Sequence, residues 1–102
     1  MFKELDPLLH SQLRLSIMSL LMTVESADFS FLKEQTDATA GNLSVQLSKL
    51  EEAEYIEILK TFQGKKPHTS CSVTQKGRKA FQDYVKALQA IYQNLNKNNQ
   101  IS

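Results

Sequence analysis

The sequence predicts a mainly α domain with one β-hairpin, an α+β arrangement closed by a long C-terminal helix. Three observations carry this prediction. Apolar residues recur at helical spacing in three separate segments, two runs rich in β-formers flank a short polar tip, and the last helical pattern is the longest. The chain has 102 residues, 12 Lys+Arg against 11 Asp+Glu, and 41% hydrophobic residues. That is enough for one modest core within a single domain, expected over residues 1–96.

The first helix is expected from Pro7 to about Val24, with Asp6 as N-cap and Pro7 at the first helical position. On a helical wheel Leu9, Leu13, Ile17, Leu20 and Val24 form one stripe, and Leu8, Leu15, Met18 and Met22 a second, nearly opposite. Two apolar faces need two partners, either within the domain or on a second subunit. Asp28 to Phe31 fits a brief strand or the cap of the next helix. Taking Ser30 as the cap, that helix spans about Phe31 to Thr36, and Thr36 to Gly41 is a turn. A third helix, about Thr39 to Ala53, buries Leu43, Leu47 and Leu50 at i, i+4 and i+7.

The opposite face of that third helix carries Gly41, Asn42, Val45, Ser48, Lys49 and Glu52, with Ser44 and Gln46 on its flanks. Over its first two turns this face is short, uncharged and hydrogen-bonding, whereas a merely solvated face would be filled with the better helix formers Glu, Lys and Arg. Tyr55–Phe62 and His68–Val73 then form a hairpin around the basic tip Gln63-Gly64-Lys65-Lys66-Pro67. Thr74 caps a last helix, about residues 75–96, with Phe81, Tyr84, Val85, Leu88, Ile91, Tyr92 and Leu95 on one side. At about 1.5 Å per residue it outreaches so small a domain, so its distal half is expected to pack on another chain. Residues 97–102 are expected to be a disordered polar tail.

Charge is segregated along the chain. Residues 1–53 hold four basic side chains (Lys3, Arg14, Lys33, Lys49) and eight acidic ones, for −4. Residues 54–102 hold eight basic ones (Lys60, Lys65, Lys66, Lys76, Arg78, Lys79, Lys86, Lys97) and three acidic, for +5. This pattern suggests one basic surface able to face a polyanion. No apolar run is long enough for a membrane span, and Glu4 and Asp6 precede the first apolar stretch, which disfavours a signal peptide; a cytoplasmic protein is expected.

Helix, turn, helix and hairpin in this order constitute a winged helix-turn-helix. The residues resemble small winged-helix transcriptional regulators of the MarR and ArsR groups. The resemblance rests on Gly41-Asn42-Leu43-Ser44, Leu47 and Lys49-Leu50-Glu51 in the recognition helix, Tyr55-Ile56 entering the wing, and Lys65-Lys66-Pro67 and Thr69 near its tip. It continues through Val73-Thr74-Gln75-Lys76-Gly77-Arg78 and covers about Leu5 to Tyr92. One departure is Glu54, where such proteins usually carry Gly.

The resemblance implies a homodimeric, sequence-specific double-stranded DNA-binding regulator, and the residue chemistry agrees. Asn42 and Gln46 can pair with adenine, and Thr39, Ser44 and Ser48 can reach bases or phosphates. Gly41 lets the backbone approach closely, Val45 shares the same face, and Lys49, Lys60, Lys65 and Lys66 suit phosphates. Leu8, Leu15, Met18 and Met22, together with the last helix's stripe, are the expected dimer interface, which implies a pseudo-palindromic operator. The alternative is a winged-helix protein-interaction module that binds no DNA. A small-molecule effector has no signature here; given the chain's length, it would have to act at the dimer interface or wing rather than on a separate sensor domain.

Candidate enzymatic and metal chemistry is thin. His10 and His68 are far apart, and no Gly-rich phosphate loop, nucleophile elbow or H-E-x-x-H motif occurs. The lone Cys71 is expected to be a buried or half-buried strand residue rather than a redox switch. No enzyme activity, metal or cofactor is expected.

Overall fold

The computed structural model describes the backbone of residues 2–101 and side chains through Lys97. The elements are α1 (Gln12–Leu21), β1 (Ala27–Asp28), α2 (Phe29–Thr36), α3 (Ala40–Glu52), β2 (Ile56–Gln63), β3 (Lys66–Val73) and α4 (Gln75–Ile101). The three strands form one antiparallel sheet in the order β1-β3-β2. This is the winged-helix α+β fold with a long C-terminal helix that the sequence predicts.

The chain N-terminal to α1 departs from expectation. Asp6 caps only one turn: its Oδ1 accepts from the Leu8 N–H at 3.0 Å, and its carbonyl accepts from the Leu9 and His10 N–H groups. The Leu8 carbonyl, which a continuous helix would offer to residue 12, instead accepts from Arg14 Nε at 2.6 Å. The chain therefore breaks at His10, and Ser11, with extended φ −150°, becomes the cap of a shorter helix. Leu8 and Leu9 belong to the preceding turn, and Leu9 reaches the core from there.

Asp28 serves as both alternatives foreseen for it. Ala27 and Asp28 pair with Cys71 and Ser70 of β3, while the Asp28 carboxylate, not Ser30, caps α2 by accepting from the Phe31 N–H at 2.8 Å. Asp37 ends α2 in the left-handed region at φ 56°, and Thr39 caps α3 through the Asn42 N–H. Leu43, Leu47 and Leu50 of α3 are buried, as their spacing requires, with Leu9, Ile17, Met18, Leu21, Leu32, Ile56, Cys71 and Tyr84.

The hairpin is tighter than predicted. Gln63 pairs with Lys66, so only Gly64 and Lys65 form the turn, and Gly64 adopts φ 65° as a two-residue connection of this hand demands. Pro67 lies inside β3 opposite Phe62. That pair follows the closing pair, and opposed residues alternate between bonded and non-bonded pairs, so the missing N–H costs no ladder bond.

Two backbone features join the hairpin to α4. Glu54 has φ 63°, in the left-handed position where a Gly is usual in similar proteins. Gly77 is buried so closely against the hairpin's base that a Cβ there would stand 2.1 Å from the Tyr55 carbonyl oxygen. Thr74 ties the same corner. Its N–H donates to the Tyr55 carbonyl at 3.0 Å, its hydroxyl donates to the Glu54 carbonyl at 2.6 Å, and its Oγ1 caps α4 by accepting from the Gly77 N–H.

At 27 residues α4 is about 40 Å long, and the molecule extends 63 Å along its longest axis against 25 and 21 Å across. Lacking any Pro or Gly after Gly77, the helix continues past Asn96 through residues assigned to a polar tail; Ser102 lies outside the described residues.

Candidate nucleic-acid interface

The outer face of α3 is open to solvent at Gly41, Asn42, Ser44, Val45, Ser48 and Lys49, with Val45 51% exposed. No structural element of the described chain covers it, and a Cβ added at Gly41 would meet nothing within 4 Å. Thr39 is exposed at the helix start, where its hydroxyl oxygen accepts the Asn42 N–H and its own proton stays free to be donated.

Gln46 is placed differently from a free base reader. Its Oε1 accepts from Arg14 Nη1, and its Nε2 donates to Asn42 Oδ1 at 2.9 Å. Arg14, anchored through Nε on the Leu8 carbonyl, thus starts a relay that runs through Gln46 to Asn42. The side-chain amide of Asn42 is held with its Nδ2 donors free. Sequence reading missed Arg14 because the contact joins residues 32 positions apart; its i, i+4 partner pair Asn42 and Gln46 was the legible half.

The hairpin meets α3 along one side. Ser44, Leu47 and Ser48 of α3 line a cleft of about 280 Å³ together with Phe29, Ile58, Lys60 and Thr69. Lys60 therefore lies beside the hydroxyls of α3, and Lys65 and Lys66 continue the positive charge to the tip. The hairpin's base bears the opposite sign: Glu25, Glu51, Glu54 and Glu57 line a cavity of about 1000 Å³ there with Lys76. A polyanion is repelled from that recess and favoured at the Lys60 side.

The C-terminal cations divide between the hairpin and α4 rather than forming one predicted surface. On α4, Lys76 sits 6.0 Å over the Tyr55 ring, Arg78 reaches the Met22 carbonyl, and Lys79 pairs with Asp83 at 2.9 Å. The Tyr55 hydroxyl donates to Asp6 Oδ2 at 2.6 Å; burial first, then this bond and the Asp6 charge, push its pKa up to about 12. Cys71 is 1% exposed, and burial, helped by the Glu51 charge, pushes its thiol up to about 11, which keeps it an unreactive core side chain. Among the described residues no group of His, Cys, Asp and Glu could hold a metal ion, and no helix is long and apolar enough to cross a membrane.

The predicted dimer residues fall into two sets. Met18 and Tyr84 are corrected: Met18 is fully buried and Tyr84 5% exposed within this chain's own core, where the Tyr84 hydroxyl bonds His10 Nδ1 at 3.0 Å. α1 packs against α2, α3, β3 and α4 of its own chain, so both of its apolar stripes meet this chain's core. Leu8, Leu15 and Phe81 are half-buried against that core, and Met22 and Val85 are also half-buried. Leu88, Ile91, Tyr92 and Leu95 are 44%, 37%, 61% and 56% exposed, an uncovered stripe at i, i+3, i+4 and i+7.

Comparison with known proteins places this geometry. Residues 13–92 match the family model of the winged helix DNA-binding domain. An uncharacterized protein of Methanocaldococcus jannaschii is 35% identical over 86 residues, covering 84% of this chain and 94% of that one. The structure of a transcriptional regulator homologue from Pyrococcus horikoshii superposes with TM-score 0.81 at 27% identity, covering 86% of this chain and 87% of the other. A zinc-responsive MarR family member from Lactococcus lactis shares the fold at TM-score 0.61 and 19% identity, covering 86% of this chain and 62% of that one. With its four helices, three-stranded sheet and matched residues 13–92, the chain belongs to the winged helix DNA-binding domain family.

Proposed function

We propose that the protein is a homodimeric, sequence-specific double-stranded DNA-binding transcriptional regulator acting in the cytoplasm, without enzyme activity. The observation that carries this reading is the exposed face of α3, uncharged over its first two turns, running without interruption into the Lys60 side of the hairpin. The open face lets α3 enter a major groove about 12 Å wide, with Asn42, Ser44 and Ser48 toward base edges and Thr39 and Lys49 toward phosphates. Gln46 acts by holding Asn42, and the hairpin lies as a wing on the backbone or adjacent minor groove through Lys60, Lys65 and Lys66.

Dimerisation is supported by the exposed stripe Leu88, Ile91, Tyr92 and Leu95 on a helix that projects beyond its own core. Two-fold symmetry places two α3 helices on successive turns of the duplex, so the operator is a pseudo-palindrome with half-site centres about 34–36 Å apart. Selection of bound sequences from a random duplex library at two salt concentrations tests the reading. An enriched inverted repeat and a steep log-linear loss of affinity with salt are expected. Absence of binding even at low salt would instead indicate a protein-interaction module. Sedimentation at micromolar concentration should show a dimer that Leu88→Glu with Tyr92→Glu dissociates; a wild-type monomer would refute the assigned interface.

A further inference from the structure

We propose that Phe62 is a wedge: its ring enters the minor groove beside the stretch read by α3 and unstacks a base step there. The proposal rests on the DNA-binding reading above and adds to it a residue that deforms the duplex. Phe62 is 74% exposed, more than any other large apolar side chain among the described residues. Nothing in the described chain covers the ring, which stands open at the end of the hairpin where a binding partner can reach it.

The pairing register fixes which way this ring faces. Side chains two apart on a strand share a face, so Ile56, Ile58, Lys60 and Phe62 lie on one side of the hairpin. Ile56 is buried in the core, and Ile58 and Lys60 line the cleft with Ser44 and Ser48 of α3. Phe62 thus lies on the α3 side of the hairpin, about 7 Å beyond Lys60 at about 3.4 Å per residue. Its support is stiff: Pro67 stands opposite, Gln63 pairs with Lys66, and only Gly64 and Lys65 turn the chain.

The surroundings name the chemistry of the partner. Lys60 shares the ring's face, Lys65 stands in the turn beyond it, Lys66 lies on the opposite face at the same end of the hairpin, and no acidic residue occurs between Glu57 and Asp83. A single aromatic ring among cations suits a polyanion that presents flat apolar surfaces between two rails of phosphate. The minor groove is about 6 Å wide and admits one ring edge, and apolar side chains inserted there kink the duplex by unstacking one step. Anionic lipid also combines charge with apolar depth, but one ring on a narrow hairpin offers a bilayer little area, whereas a base step needs only one.

The test uses the full chain and the duplex recovered from the random library, with 2-aminopurine placed at successive positions. Wild type is expected to raise fluorescence at one step flanking each half-site. Phe62→Ala and Phe62→Val should abolish that rise and weaken binding about tenfold or more, with the salt slope unchanged. Valine keeps strand propensity, and unchanged thermal unfolding of Phe62→Val shows that the hairpin persists. Lys65→Gln should do the reverse, lowering the slope by about 1 while the fluorescence rise remains. Unaltered fluorescence and affinity in both Phe62 variants overturn the wedge and leave the DNA-binding reading standing. So does a loss confined to self-association or to phosphatidylserine vesicles. Failure of wild type to bind any duplex overturns both.

Discussion

Gly77→Ala is the substitution whose sign the structure reverses. In an exposed helix interior, Gly to Ala stabilises by about 1 kcal/mol, because alanine loses less backbone entropy. At position 77 the added methyl would lie 2.1 Å from the Tyr55 carbonyl oxygen, 2.8 Å from its carbon and 2.9 Å from its Cα. All three are backbone atoms, so no rotamer change relieves the overlap; the start of α4 and the base of the hairpin must separate by about 1 Å. Overpacking of this kind costs about 1–3 kcal/mol. Separation also strains the Thr74 bonds to the Tyr55 and Glu54 carbonyls, each contributing about 1 kcal/mol. Offset by the helical gain, the net loss is about 2 kcal/mol. In urea, with a slope of about 1–1.5 kcal/mol per molar, the midpoint should fall by more than about 1 M at fixed protomer concentration. A variant as stable as wild type would refute the close approach of α4 to the wing.

Other substitutions probe separate corners of the same design. Glu54→Gly should raise stability by roughly 0.5–1 kcal/mol, since φ 63° strains a side chain but not glycine; a loss in the same urea titration would contradict the strain. Arg14→Ala frees Gln46 and leaves the Leu8 carbonyl without its donor, so binding to the selected duplex should weaken about 3–10-fold with no change in salt slope. A reduced slope would make Arg14 a phosphate contact instead of a positioning residue. Tyr55, raised to about 12 in the folded chain against about 10 unfolded, is neutral in both states below pH 10. Its contribution is therefore intact there and lost as pH rises from 10 through 12, and Tyr55→Phe should fall less steeply than wild type across that window. Parallel pH profiles for the two proteins would refute the raised Tyr55 pKa.

Elements governed by local chemistry were legible residue by residue. α3 starts within one residue of the expected Thr39, Leu43, Leu47 and Leu50 keep their spacing in the core, and the two strands flank Gly64, because helical period and turn conformation act within a few residues. The face of α3, uncharged over its first two turns, was legible for the same reason: a face is defined by the helix that carries it. The sequence by itself thus determined the order of elements, the face of the third helix and the basic tip of the hairpin.

Tertiary structure decided what depends on residues far apart in the chain. Arg14 takes the Leu8 carbonyl and so sets where α1 begins, overriding the Asp6-Pro7 start signal. Met18 and Tyr84 have the spacing of surface stripes, yet other elements cover them, and a wheel shows only that a face is apolar, not what lies against it. Gln46 seemed free until Arg14, 32 residues earlier, claimed its oxygen. Gly77, legible in the sequence only as part of the segment Val73–Arg78, is a close contact with Tyr55. Local preferences are encoded over single turns of chain, whereas burial, close approach and long-range hydrogen bonds exist only once the core brings distant segments together.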